Sequence, residues 1–122
     1  MPFQFSKAAL IEKNKAAIAA AQAVINRLNQ IGGLSAASEK KRLAQRTRAK
    51  NLITQMQTVN ANLKAAGTVV EPLSDAVAEE LNKLGNKLDE QIASDAILNA
   101  TLDFVTSVLD DVRRLQAIVR SA

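Results

Sequence analysis

Leu73, Val77, Leu81, Leu84, Leu88 and Ile92 recur three or four residues apart, a spacing that an α-helix turns into a single apolar face. Three more segments repeat the pattern, and this most constrains the fold, because amphipathic helices must bury their stripes against one another. In helix one, Ile11, Ile18 and Ile25 stand seven apart, flanked by Leu10, Ala17, Val24 and Ile31 and by Ala21 and Leu28. Ser6 can cap its start, with Phe5 and Leu10 placed as a hydrophobic staple, and Gly32 and Gly33 stop it. Ser38 is the expected cap of a second helix, whose later half places Leu52, Met56, Val59, Leu63 and Ala66 on one face before Gly67 ends it. Pro72 suits the first turn of helix three. Gly85 interrupts that helix, but the leucines on both sides stay in phase, so a continuous helix with a close contact at Gly85 is expected, with a turn at Gly85 and Asn86 as the alternative.

The phase slips near Ser94 and Asp95, either of which can cap a fourth helix. Its stripe is Leu98, Val105, Val112 and Val119 with Leu102, Leu109 and Leu115. The expected fold is therefore all-α, an antiparallel up-down-up-down four-helix bundle with helices near 6–31, 38–66, 72–93 and 95–120. These form one domain spanning 1–122, led by a short arm at 1–5. With no glycine or proline at the slip, a three-helix bundle with a long bent last helix is the alternative.

Apolar residues make up 48% of the chain, and with alanine prominent among them the helices can approach closely. Phe3, Phe5 and Phe104 are the only aromatic residues. Helix four carries Ile97, Phe104 and Ile118 beside its main stripe, so it is either the best-buried helix or one that also faces another subunit. Phe3, Phe5, Phe104 and Ile118 are accordingly candidate assembly contacts. Asn14 sits in the stripe of helix one, where a buried amide would fix register and a solvated one would mean that the stripe drifts.

Charge is divided unevenly: residues 1–70 carry +9 and residues 71–122 carry −5, which gives the chain its net +4. Lys40, Lys41, Arg42, Arg46, Arg48 and Lys50 crowd the start of helix two. Arg42, Arg46 and Lys50 share one helical face, with Gln45 and Asn51 nearby for base edges, which is the nucleic-acid expectation. Against it, no aromatic lies near the run to stack unpaired bases. The proposed topology also brings Asp89, Glu90 and Asp95 to the same end, where they can match the run internally. Glu71, Asp75, Glu79 and Glu80 suit the positive end of the helix-three dipole, with a binding face for a basic partner as the alternative.

The chain has no histidine and no cysteine, which removes a ferritin-like di-iron site, histidine-ligated haem, the usual zinc sites and a Ser-His-Asp triad. No Gly-rich phosphate cradle follows Gly32 and Gly33. The paired acids Glu79 and Glu80, Asp89 and Glu90, and Asp110 and Asp111 point apart on a helix rather than forming dyads. Asp111 is expected to pair with Arg114 or with a basic residue of helix one. No cofactor, metal or catalytic residue is expected. No transmembrane segment and no signal peptide is read, making the cytoplasm the default location. The expected role is a non-catalytic interaction or assembly module that binds a protein partner or its own copies. Nucleic-acid association through Lys40 to Lys50 is the alternative, and reversible attachment to a lipid surface a further one.

Overall fold

The computed structural model describes residues 7–65 and 73–121, with Ser121 as backbone only. Four helices follow in order: α1 (Lys7–Gln30), α2 (Ala36–Lys64), α3 (Asp75–Ala93) and α4 (Leu102–Ser121). They pack as a four-helix bundle, and α3 ends well before α4 starts, so the single long bent helix is not formed. Phe3, Phe5, Ser6, Ala66, Gly67 and Pro72 lie outside the described residues.

The helix starts differ from those expected. Ser35, not Ser38, caps α2: its hydroxyl accepts the Ser38 amide at 3.3 Å. Ser35 has the extended backbone that a cap needs, while Ser38 is already inside the first turn. Ser74 caps α3 in the same way through the Val77 amide. Neither Ser94 nor Asp95 starts α4; both belong to the end of α3. The Ala96 amide donates to the Gln91 carbonyl at 3.0 Å and the Asp95 amide to the Ile92 carbonyl at 3.2 Å, a Schellman closure with Asp95 left-handed at φ 59°. The chain then turns through 94–99, and Thr101 caps α4 by accepting the Phe104 amide. Leu98, expected on the α4 stripe, lies in this turn and is 45% exposed, whereas Ile97 and Ala100 are buried and anchor it.

Cross-helix contacts set the directions. Asn14 reaches Met56 and Asn60, and Arg42 reaches Leu28, so α1 and α2 are antiparallel. Lys41 meets Asp103, Arg48 meets Asp110 and Gln116 meets Gln55, so α2 and α4 run parallel. Arg114 meets Glu80 and Lys87 meets Asp111, making α3 and α4 antiparallel. The up-down-up-down order holds, but α2 and α3 do not pack together among the described residues. They occupy opposite corners, while α1 and α4 touch each other and both of the others.

That arrangement explains the core. On α1 the deepest row is Leu10, Asn14, Ala17, Ala21, Val24 and Leu28, whereas Ile11 and Ile18, the expected centre, are only half-buried. Facing three helices, α1 buries a wide arc, and its alanines let neighbours close in. On α4, Val105, Val108, Leu109, Val112, Leu115 and Ile118 are buried, each contributing about 1.5 to 3 kcal/mol. Ile118 is thus core and cannot serve as an assembly contact, and Phe104 is half-buried against the same cluster. Gly85 lies within the unbroken α3 and leaves room for the Lys13 side chain of α1 to cross it, since a Cβ there would meet Lys13 Cδ at 2.9 Å.

Candidate functional site

The basic start of α2 does not form one cationic face. Successive residues on a helix differ by about 100°, so the run is spread around α2 and its members meet different neighbours. Lys41 donates to Asp103 at 2.8 Å and Arg48 to Asp110 at 2.7 Å, both across to α4. Arg42 turns the other way: it forms a two-pronged pair with Glu39, and its Nη1 donates to the Leu28 carbonyl at 2.9 Å, closing the end of α1. The Arg42 hydrogen bond holds the Glu39 carboxyl below its ordinary range, and the Lys41 bond does the same for Asp103. Arg46 is half-buried with its Nε covered and without a partner, while Lys40 and Lys50 are exposed and have no ion pair among the described residues.

The acids expected to match this run are not the ones used. Asp89, Glu90 and Asp95 make no ion pair with it, because α3 stands diagonally across from α2; Asp103 and Asp110 of α4 take that place. Gln45, expected to be free for a base edge, is buried and donates at 2.8 Å to the Leu102 carbonyl and at 2.8 Å to Thr106 Oγ1. Asp111 pairs with neither Arg114 nor helix one but with Lys87 of α3, at 2.9 Å. Arg114 instead makes a fork with Glu80 at 2.6 and 2.8 Å, which lowers the Glu80 carboxyl pKa.

Where α2 and α4 run side by side, their outer edges leave a groove of about 780 Å³. From α2 come Thr47, Arg48, Asn51 and Gln55, and from α4 come Arg113, Gln116 and Arg120. Ala44, Leu52 and Ala117 supply its apolar part. The spacing on both helices is three and four residues, so each contributes one continuous edge. Ala44 and Ala117 keep the rim low, and the Gln116 amide donates to Gln55 Oε1 at 3.0 Å. Among the described residues three guanidiniums line the groove and no acid does; Asp110, just beside it, engages Arg48. Arg113 and Arg120 are exposed and have no ion pair among the described residues. Guanidinium stays charged at any physiological pH and recognises carboxylate or phosphate in a planar fork.

Sequence reasoning found Arg48 and Asn51 but missed Thr47, Gln55, Arg113, Gln116 and Arg120. A signal was present, since Arg113 and Arg120 stand seven apart on one face of α4 with Gln116 and Ala117 between them. What was lacking was the neighbour: sequence order suggests that α2 meets α3, not α4. Among the described residues no group of three acids could hold a metal ion, and no helix is long and apolar enough to cross a membrane. Compared with family models, curated proteins and solved structures, the chain matches none.

Proposed function

We propose that this chain is a non-catalytic interaction module that docks an acidic segment of a protein in the α2–α4 groove. The observation that carries this is the pair of guanidiniums, Arg113 and Arg120, that have no ion pair among the described residues, on a groove lined also by Arg48 and, among those residues, by no acid. The volume lies within the range of about 300 to 1,000 Å³ that binding clefts occupy. Its mixed lining of alanine, leucine, amide and guanidinium suits a peptide, whose side chains need both apolar contact and charge. A non-catalytic role is supported by a chain without histidine or cysteine. The cytoplasm is the compartment we assign to it.

A protein partner is preferred over nucleic acid because the basic run is split. Lys41, Arg42 and Arg48 spend their charge on acids of the same chain, and Gln45 is committed to α4. Lys40, Arg46 and Lys50 alone make a short track, with no aromatic near them in the sequence. The test is fluorescence anisotropy at rising salt with a labelled oligoglutamate, a single-stranded DNA of equal charge, and anionic vesicles as separate probes. The oligoglutamate is expected to bind best, and Arg113→Gln with Arg120→Gln should weaken it about tenfold or more. Tighter DNA binding that depends on Lys40 and Lys50 rather than Arg113 and Arg120 would replace this reading with the nucleic-acid one. Preference for vesicles would replace it with a lipid surface.

A further inference from the structure

We infer that the acidic segment taken up by the groove belongs to a second copy of this chain, and that copies associate head to tail through the outer flank of α3. This rests on the groove being a docking site for acidic polypeptide. The residues of α3 sum to −3, and among the described residues none of its acids pairs with Arg48, Arg113 or Arg120 of the groove, because α3 stands at the corner diagonal to α2.

The orientation of the acids sharpens the point. At about 100° per residue, Asp75, Glu79, Asp89 and Glu90 fall within an arc of about 100° on α3. Glu80 and Lys87, which bond to α4, lie about 60 to 80° beyond the Glu90 end of that arc. The acidic flank thus turns away from α4 and toward the α1 side, at the edge of the bundle opposite the groove. Lys83 pairs with Glu79 at 3.5 Å and Lys13 crosses over Gly85, so the acids left to carry the contact are Asp89 and Glu90. Asp89 and Glu90 are exposed and have no ion pair among the described residues. Groove and flank are complementary in charge and lie on opposed edges, so one copy cannot satisfy both with a single partner. Such heterologous contacts build open chains or rings rather than a closed pair.

Sedimentation velocity at low and high salt, over a range of concentrations, tests this with three proteins. These are the wild type, a groove variant (Arg113→Gln with Arg120→Gln) and a flank variant (Asp89→Asn with Glu90→Gln), each checked for helicity by circular dichroism. Wild type should grow beyond twice its 13.1 kDa monomer mass at low salt and return to it at high salt. Each variant alone should be monomeric, and their mixture should give a one-to-one heterodimer that stops there, because only one groove and one flank remain intact. A wild type that is monomeric at low salt overturns the inference, as does a closed dimer that both variants still form. The oligoglutamate titration separates the two failures: a monomeric wild type that binds the peptide loses only the self-docking, and one that does not bind loses the groove as well.

Discussion

Asn14 is fully buried between hydrophobic turns of α1, where an amide is tolerated only if bonded. Its Nδ2 donates to the Met56 carbonyl at 2.9 Å and to Asn60 Oδ1 at 3.0 Å, both on α2, while its own Oδ1 accepts from no group among the described residues. Because the bonds run to fixed points on a neighbouring helix, the amide sets how α1 slides along α2. Of the two roles the sequence left open for this residue, register is the one it performs, within the chain. Asn14→Ala removes both hydrogen bonds and strands the Asn60 oxygen, while the Met56 carbonyl keeps its helical bond to the Asn60 amide, so it should cost about 1 to 3 kcal/mol by urea denaturation. Asn60→Ala leaves the Met56 bond in place and should cost less. Equal losses would show that packing, not the hydrogen bonds, dominates at this point.

Asp95 shows how an element's end can be misread. An aspartate at a break in hydrophobic phase is an N-cap signal, and nothing local distinguishes it from the rarer case of an aspartate closing the preceding helix. The structure makes it the left-handed residue after Ser94, in the place that glycine usually fills. Replacing it with glycine removes the crowding of a Cβ at positive φ, and Asp95→Gly should raise stability by about 0.5 to 1 kcal/mol in thermal or urea melts. Destabilisation would mean that the Asp95 side chain contributes more than its backbone strain costs. The misreading also explains Leu98. Counted forward from a cap at Asp95 it falls on the stripe, but with α4 starting at Leu102 it falls in the turn, and Ile97 takes the buried place instead. Existence, number and direction of the helices were legible because each stripe is long. The ends were not, since a cap is one hydrogen bond that several nearby residues can offer.

At the scale of the molecule, side-by-side placement was what the sequence concealed. Short connections imply antiparallel neighbours but say nothing about which pairs stand diagonally, so Asp89, Glu90 and Asp95 were natural partners for the basic run until α2 and α3 were found apart. With α4 beside α2, the acids that matter for the fold are others. Glu39 holds Arg42 at the end of α1, Asp103 joins α4 to α2, and Glu80 joins α3 to α4. In each case a hydrogen bond from the cation lowers the carboxyl pKa in the folded state. The unfolded chain then binds more protons than the folded one through this range, so stability rises with pH. The contribution is complete above the ordinary carboxylate pKa of about 4 and is lost as pH falls through the lower folded values. These groups are solvent-exposed, so each effect is small and salt-sensitive, but the three act on three different helix contacts. Melting temperature should therefore hold near neutrality and drop below about pH 4. Glu80→Gln should lower it at neutral pH and shallow the acid drop, since glutamine keeps the packing but has no proton to take up. If the curves of wild type and variant run parallel throughout, the Glu80–Arg114 fork does not couple proton binding to folding, and the acid limb belongs to other carboxylates.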